Sequence, residues 1–396
     1  MATVLVVGGG IGGLATALSA AERGHRVRVL ERNAEFTELG AGIQLAPNAF
    51  HALDLLGVGD QVRDLAVYID ELRLMDGTTG ERIAGMPLDD AYRRRFGNPY
   101  AVVHRSDLYQ PLLDACRRTA AIELRPGAPV SGYEQNAAGV TAVLATGERH
   151  TGDVLVGADG IRSAIRRQVV GDGEPKVSGH TIYRCLIPME RVPAELRWNT
   201  VTLWAGPRWH FVHYPIAGGV YLNLAAIKDD GAAHAVAGVP VPTALVREEF
   251  AELSAAAGRL LHLGDDWRTW VLCDRDPTDT WTDGRVVLMG DAAHPMLQYA
   301  AQGACTALED AVALGSMLDC PTDDLVQRLQ KFNAVRRERT AAAQWAAREM
   351  GTRVYHPAGD EAKARNEMLR SLSAEELYEK VAWLHGARDF AETQPA

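Results

Sequence analysis

Thr3-Val4-Leu5-Val6-Val7-Gly8-Gly9-Gly10-Ile11-Gly12-Gly13 stands near the start of the chain. A short apolar run ends on a glycine cluster. A helix-patterned stretch follows from Leu14 to Arg23, then a second strand-like run, Arg26 to Leu30, closing on Glu31. Strand, glycine turn, helix, strand and acid, in that order, make a dinucleotide-binding βαβ unit. Gly8, Gly10 and Gly13 fit G-x-G-x-x-G. The first permits the tight turn, the second lets backbone approach a pyrophosphate, and the third allows close helix–strand packing. The helix N-terminus then offers unpaired N–H groups to phosphate. An acid at the end of the second strand suits a free ribose 2′-OH, so FAD or NAD fits better than NADP. Glu31 and the adjoining Arg32 are therefore assigned to the cofactor.

Length and composition agree with two globular units. The 396 residues exceed one compact core, and 47% hydrophobic with 23% charged residues is ordinary for a globular protein. A net charge of −10 disfavours nucleic acid and anionic lipid. Residues 2–21 carry no charge, yet five glycines interrupt them and no basic segment precedes them, so neither a signal peptide nor a membrane span is read here. The five cysteines form no C-x-x-C pair, which fits reduced thiols in the cytoplasm without a disulfide framework or a zinc site.

Further along, strands and helices alternate. A helix is expected from Asn48, as cap after Pro47, to Leu56, with Gly57 as stop. Another is expected to be capped by Ser106 and to run through Arg118. Strands are expected at Ile122–Leu124, Val130–Tyr133, Val140–Leu144 and Val154–Val156. From about Lys176 strand-like runs dominate: His180–Pro188, Thr200–Ala205, His210–Tyr214 and Val220–Ala226, punctuated by glycine and proline. Near Arg285 the first texture returns, with a buried strand Val286–Met289, a long helix from Gly303, and helices in Asp323–Met350 and Ala374–Leu384. The expected fold is α/β. A discontinuous Rossmann-like domain (1–68, 99–175 and 283–350) carries an inserted antiparallel-sheet domain (69–98 and 176–282) and a C-terminal helical segment (351–396).

Two further stretches carry chemistry. Asp153-Val154-Leu155-Val156-Gly157-Ala158-Asp159-Gly160 and Gly290-Asp291-Ala292-Ala293-His294-Pro295 each follow a buried strand. Ligands of open α/β sheets bind beyond the carboxyl ends of strands, which places Asp159 and Asp291 well. The plainer alternative is that each caps a helix. Side chains alternate along a strand, so His210, Val212 and Tyr214 share one face and His213 takes the other. His210 and Tyr214 fall roughly 13 Å apart at about 3.3 Å per residue, a spacing that suits opposite sides of a bound ring. Buried structural histidine and tyrosine are the alternative.

The ordered set Gly8–Gly13, Val156-Gly157-Ala158-Asp159-Gly160 and Gly290-Asp291-Ala292-Ala293-His294-Pro295 resembles the single-component FAD-dependent aromatic hydroxylases of the para-hydroxybenzoate hydroxylase type. The resemblance implies FAD held by Gly8, Gly10, Ile11, Gly13, Glu31, Arg32, Gln44 of Gly40-Ala41-Gly42-Ile43-Gln44, Arg105, Val130, Asp159, Asp291, Gly303 and Ala304. The helix opening at Gly303 would then face the flavin, and His294 would shape its pocket. Gly206-Pro207-Arg208-Trp209-His210-Phe211-Val212-His213-Tyr214-Pro215 and Pro295-Met296-Leu297-Gln298-Tyr299-Ala300 are similar to the 3-hydroxybenzoate 6-hydroxylases. By that resemblance His210, Tyr214 and Gln298 form the catalytic set, with His210 as base for a phenol. It implies hydroxylation of a phenolic aromatic acid with NADH or NADPH as transient co-substrate and O2, through a flavin C4a-hydroperoxide, in a homodimer. Salicylate, 6-hydroxynicotinate or a larger phenol are alternative substrates. A flavin dehydrogenase or reductase without oxygen transfer, and a non-catalytic binder, are the rival classes. No basic side chain for a substrate carboxylate stands out in the sequence.

Overall fold

The computed structural model describes residues 1–37, 40 and 42–392; Ala41 of the Gly40–Gln44 stretch lies outside them. The opening strand, Thr3–Val7, sits inside a six-stranded sheet in the order Thr282–Asp283, Val286–Leu288, Val154–Gly157, Thr3–Val7, Arg26–Leu30, Ile122–Arg125. All neighbours are parallel except the first pair. Helices cover a parallel sheet on both faces, which is why Val4, Leu5, Val6 and Val7 are all buried without alternation. Helix Ile11–Glu22 packs against helix Gly303–Leu318, and Gly315 permits it: a Cβ there would stand 2.0 Å from the Ser19 hydroxyl.

The second layer is an eight-stranded sheet. Its order is Ala237–Val241, Trp267–Asp274, Lys176–Pro188, Tyr221–Ala232, Trp209–Ile216, Thr200–Gly206, Glu71–Asp76, Arg82–Pro87. Pairing is antiparallel apart from Thr200–Gly206 with Glu71–Asp76. One face packs on a core of Trp204, Phe211, Phe250 and Trp267. The other face turns toward the parallel sheet, and the space between them becomes the site.

Two expected caps are corrected. Asn48 lies inside helix Pro47–Leu55, whose cap is Ala46; the Asn48 amide instead reaches Gln302 and Glu309 at 2.9 and 2.6 Å. Ser106 lies inside helix Arg105–Arg118, whose cap is His104, its Nδ1 accepting from the Ser106 N–H at 3.3 Å. Side-chain partners distant in sequence decided the first, and an imidazole doing a hydroxyl's job decided the second. The long helix Leu325–Glu349 runs into a π-turn, Met350–Tyr355, and helix Gly359–Arg370, unforeseen in the sequence, follows. Such π-turns gather at functional sites, and this one borders the cavity described next.

Candidate active site

A continuous cavity of about 980 Å³ runs from the glycine turn to the large sheet. Its outer end is built by the βαβ unit. Gly8 has φ +106°, and a Cβ there would meet the Ala158 carbonyl oxygen at 2.4 Å, so turn and close approach both demand glycine. Gly10 caps the helix and has nothing within 4 Å of where its Cβ would be. That is open room beside free N–H groups. Gly13 does not line the cavity; a Cβ there would stand 1.9 Å from the Gly8 carbonyl oxygen, so its part is packing. Ile11, Glu31, Arg32, Gln44, Arg105, Val130, Asp159, Asp291, Gly303 and Ala304 all border the cavity. Glu31 accepts from the Gly9 and Asn33 N–H groups at 2.7 and 2.8 Å, and each oxygen keeps a lone pair.

Asp159 also does what the plainer reading expected. It accepts from the Ser163 hydroxyl at 2.5 Å and the Ala164 N–H at 2.7 Å at the start of helix Ala164–Val169. Burial pushes its carboxyl up from the ordinary value. Arg166, fully buried, joins the two acid motifs: it pairs with Asp172 and donates to the Ala292 and Ala293 carbonyls at 3.0 and 2.5 Å. His294 lies behind the wall. Its Nε2 contacts Asp310 at 2.5 Å, and Asp310 accepts the Gly290 N–H at 3.0 Å, so this pair holds the Asp291 turn. Burial would raise the Asp310 carboxyl, but His294 and Arg336 outweigh it and hold it at about 2.

At the inner end, His210, Val212 and Tyr214 border the cavity, while Phe211 belongs to the opposite core and His213 packs against Trp198 and Trp204 there. The cavity face can be followed across strands by register. One row reads Arg184, Ala225, Val212, Leu203, Leu74 and Ala84; all six border the cavity. Tyr214 hydrogen-bonds Gln44, which accepts from the Tyr100 hydroxyl at 2.7 Å, and burial pushes the Tyr214 phenol up to about 12. Gln298 sits in the short helical turn Gln298–Ala300 across from the sheet, also on the cavity.

His210 Nδ1 meets His356 Nε2 at 2.7 Å, and His180 Nδ1 meets the Tyr299 hydroxyl at 2.5 Å. Burial first, then the neighbouring His356 and His180, hold the His210 imidazole well below the usual range, so it is neutral at physiological pH. Arg184 donates to Gln298 Oε1 at 2.5 Å and lies 5.7 Å from the Trp270 ring. Sequence reasoning missed His356, His180 and Arg184. His356 comes from beyond a helix end with no local pattern to mark it. A lone arginine in the otherwise apolar run Thr181-Ile182-Tyr183-Arg184-Cys185-Leu186-Ile187 was a readable signal.

Comparison with known proteins agrees with this geometry. The family described as FAD binding domain matches residues 1–184 and 254–347. The chain is 48% identical over 383 residues to 3-hydroxybenzoate 6-hydroxylase 1 of Aquipseudomonas alcaligenes, covering 97% of each. A salicylate hydroxylase solved with its substrate matches with TM-score 0.85 at 26% identity, over 100% of this chain and 98% of that one. HpxO of Klebsiella pneumoniae, solved with FAD and uric acid, shares the fold with TM-score 0.84 at 24% identity, over 96% of this chain and 95% of that one. The empty space beside Gly10, the glycine-only approach at Gly8 and the helix start at Gly303 fit FAD in the outer cavity. The chain belongs to the FAD-binding family and, within it, to the single-component flavoprotein aromatic hydroxylases, with FAD as its cofactor.

Proposed function

We propose that this protein hydroxylates a phenolic aromatic acid of the 3-hydroxybenzoate type, using NAD(P)H and O2. The observation that carries the reading is the inner end of the cavity: His210, Tyr214 and Gln298 around a slot floored by Val212 and Ala225. FAD, when bound, supplies electron transfer from the nicotinamide and the activation of oxygen. The net change is phenol, O2, NAD(P)H and a proton going to a diphenol, water and NAD(P)+.

The chain's own work is to bind, orient and deprotonate. A phenol attacks better as phenolate, so its proton needs an acceptor. With His210 Nδ1–H donated to His356 Nε2, the other nitrogen of His210 is free to accept that proton. His356 then shares the charge that arrives. Tyr214, fixed by Gln44, and Gln298 orient the ring substituents. Apolar walls from Val201, Leu203 and Leu74 exclude water.

Gly10, Ile11, Glu31, Arg32, Arg105, Val130, Asp159, Asp291, Gly303 and Ala304 would hold FAD along the outer cavity, with Gln44 at the junction. One glycine-rich βαβ unit is read in the sequence, and FAD takes it, so the nicotinamide visits transiently. The five free cysteines accord with a cytoplasmic location, and among the described residues no helix is long and apolar enough to cross a membrane. The homodimer rests on the resemblance, and analytical ultracentrifugation measures it.

The test is substrate-stimulated NADH and NADPH oxidation across the monohydroxybenzoates under labelled oxygen. Label in the diphenol supports the reading. Productive turnover without label would instead support a dehydrogenase. His210→Ala should lower hydroxylation by about 10²–10⁴-fold with FAD still bound. Unchanged turnover would remove His210 from the mechanism.

A further inference from the structure

We propose that Arg184 binds the substrate's carboxylate and so selects aromatic acids over neutral phenols. The inference rests on the hydroxylase reading and adds the anchor that the sequence left unnamed.

A guanidinium stays charged inside a protein, and a buried charge is costly without a partner. The buried arginines show how this chain handles that cost, and Arg184 is half-buried beside them in the same protein interior. Arg166 and Arg275 share Asp172, Arg336 takes Glu309 and Asp310, and Arg339 takes Glu309. Arg365 donates to the Val354 carbonyl. Arg184 differs. Among the described residues no carboxylate pairs with it, and the side chains around it are Gln298, Trp270 and Tyr214, with Arg105 close enough to repel it. It faces the cavity rather than bulk solvent. Its charge is therefore available to an anion that enters the cavity.

Position supports the same conclusion. Arg184, Ala225 and Val212 are register partners on adjacent strands, so Arg184 stands two strands from the residue midway between His210 and Tyr214. Neighbouring strands lie about 4.8 Å apart, which puts its backbone roughly 10 Å from Val212. Ala225 between them is small and leaves the floor clear. An arginine side chain spans much of that distance. A ring lying over Val212 can thus present its hydroxyl to His210 and its carboxylate toward Arg184.

Gln298 completes the arrangement. Its Oε1 is taken by Arg184, which turns its amide N–H groups outward as donors. Guanidinium and amide together offer several N–H groups to one carboxylate, the bidentate chemistry at which arginine excels. The Trp270 ring lies 5.7 Å from the guanidinium, within cation–π range.

The experiment uses FAD-loaded enzyme and follows the flavin visible spectrum during titration with 3-hydroxybenzoate, benzoate and the neutral isostere 3-hydroxybenzamide. Wild type should bind both acids well ahead of the amide. Arg184→Met should weaken both acids by at least about 30-fold, as expected for removing one partner of a buried charge pair, and leave the amide within about threefold. Arg184→Lys, which keeps the charge without the fork, should recover part of the loss. In turnover, the acid-to-amide ratio of kcat/KM should collapse in Arg184→Met. Equal weakening of acid and amide would mean a merely structural part and would overturn the proposal. So would wild-type binding that ignores the carboxylate, a readout that survives even if Arg184→Met fails to hold FAD. The two readings separate cleanly. Arg184-dependent acid binding without hydroxylation of any acid sinks the proposed function and keeps the anchor. Hydroxylation of 3-hydroxybenzoate with an unchanged acid-to-amide ratio in Arg184→Met sinks the anchor alone.

Discussion

Gly10 and Gly13 lie three residues apart and face opposite fates on substitution. A methyl group at Gly10 meets nothing among the described residues, so Gly10→Ala should leave apoprotein stability within about 0.5 kcal/mol of wild type. It occupies room the pyrophosphate needs, and FAD affinity should fall at least about tenfold, the cost of roughly 1.4 kcal/mol. Gly13→Ala drives a methyl into the Gly8 carbonyl and should cost about 1–3 kcal/mol or more. Urea titration of the two apoproteins, with FAD fluorescence quenching, checks both. Both readings follow from spacing within one turn, and the structure shows the packing one at Gly13. The state of His210 was not. The sequence reading took an ordinary imidazole, whereas burial beside His356 and His180 keeps it neutral well below its usual range. A base works when unprotonated, above its pKa, so a lowered pKa moves the acid limb of activity down. The kcat/KM profile should stay flat as pH falls through 6.5. An acid limb at or above that value would contradict His210 as the base in this environment.

Helix Gly303–Leu318 shows where legibility ends. Its apolar face and its glycine start are visible in the sequence, but Glu309 and Asp310 fall on the other side of the helix, which is buried as well. Both are fully buried, and they pair with Arg336 and Arg339 of helix Leu325–Glu349. Adjacent acids within an apolar helix do announce a buried network. Its partners, one turn apart on another helix, are ordinary in a basic, polar stretch and carry no local mark. The network has consequences for the site, because Asp310 holds the Gly290 N–H and His294 while Glu309 holds Asn48. Arg336→Met should therefore cost about 3–5 kcal/mol by leaving two carboxylates short of a partner. It should weaken FAD binding as well, through the loosened Asp291 turn. Arg337→Met supplies the control: its partner Asp279 is 94% exposed, and the change should cost under about 1 kcal/mol. Equal losses in the two variants, read by urea unfolding, would refute the distinction.

Three histidines distant from one another give the protein a common response to acid. His213 lies in the large sheet, His356 beyond the π-turn and His385 at the end of the last described helix. Burial holds them at about 3, about 4 and about 3 respectively. An unfolded chain protonates its histidines near 6.5, so below that pH it binds protons the folded state refuses. The stability these groups contribute is complete above 6.5 and drains away as pH falls toward their folded values. Each costs up to about 1.4 kcal/mol per pH unit, so these three contribute up to about 4 kcal/mol per unit between roughly pH 6 and pH 5, to which the lowered His210 adds its own share. Glu309 and Asp310, both held at about 2, add their own loss only below the ordinary carboxylate range. Because desolvation is the main cause, added salt should barely change the upper slope, unlike a surface ion pair. His213 offers the sharpest check. Both its ring nitrogens are buried, without a hydrogen-bond partner among the described residues, beside Trp198, Trp204 and Phe211. His213→Phe keeps a flat ring and removes the titrating group. Urea unfolding at half-unit steps from pH 7 to pH 4 should then show a slope lower by up to about 1.4 kcal/mol per unit, with stability at pH 7 equal to or above wild type. An unchanged slope would mean that His213 is protonated in the folded protein, and that water reaches a ring the packing encloses.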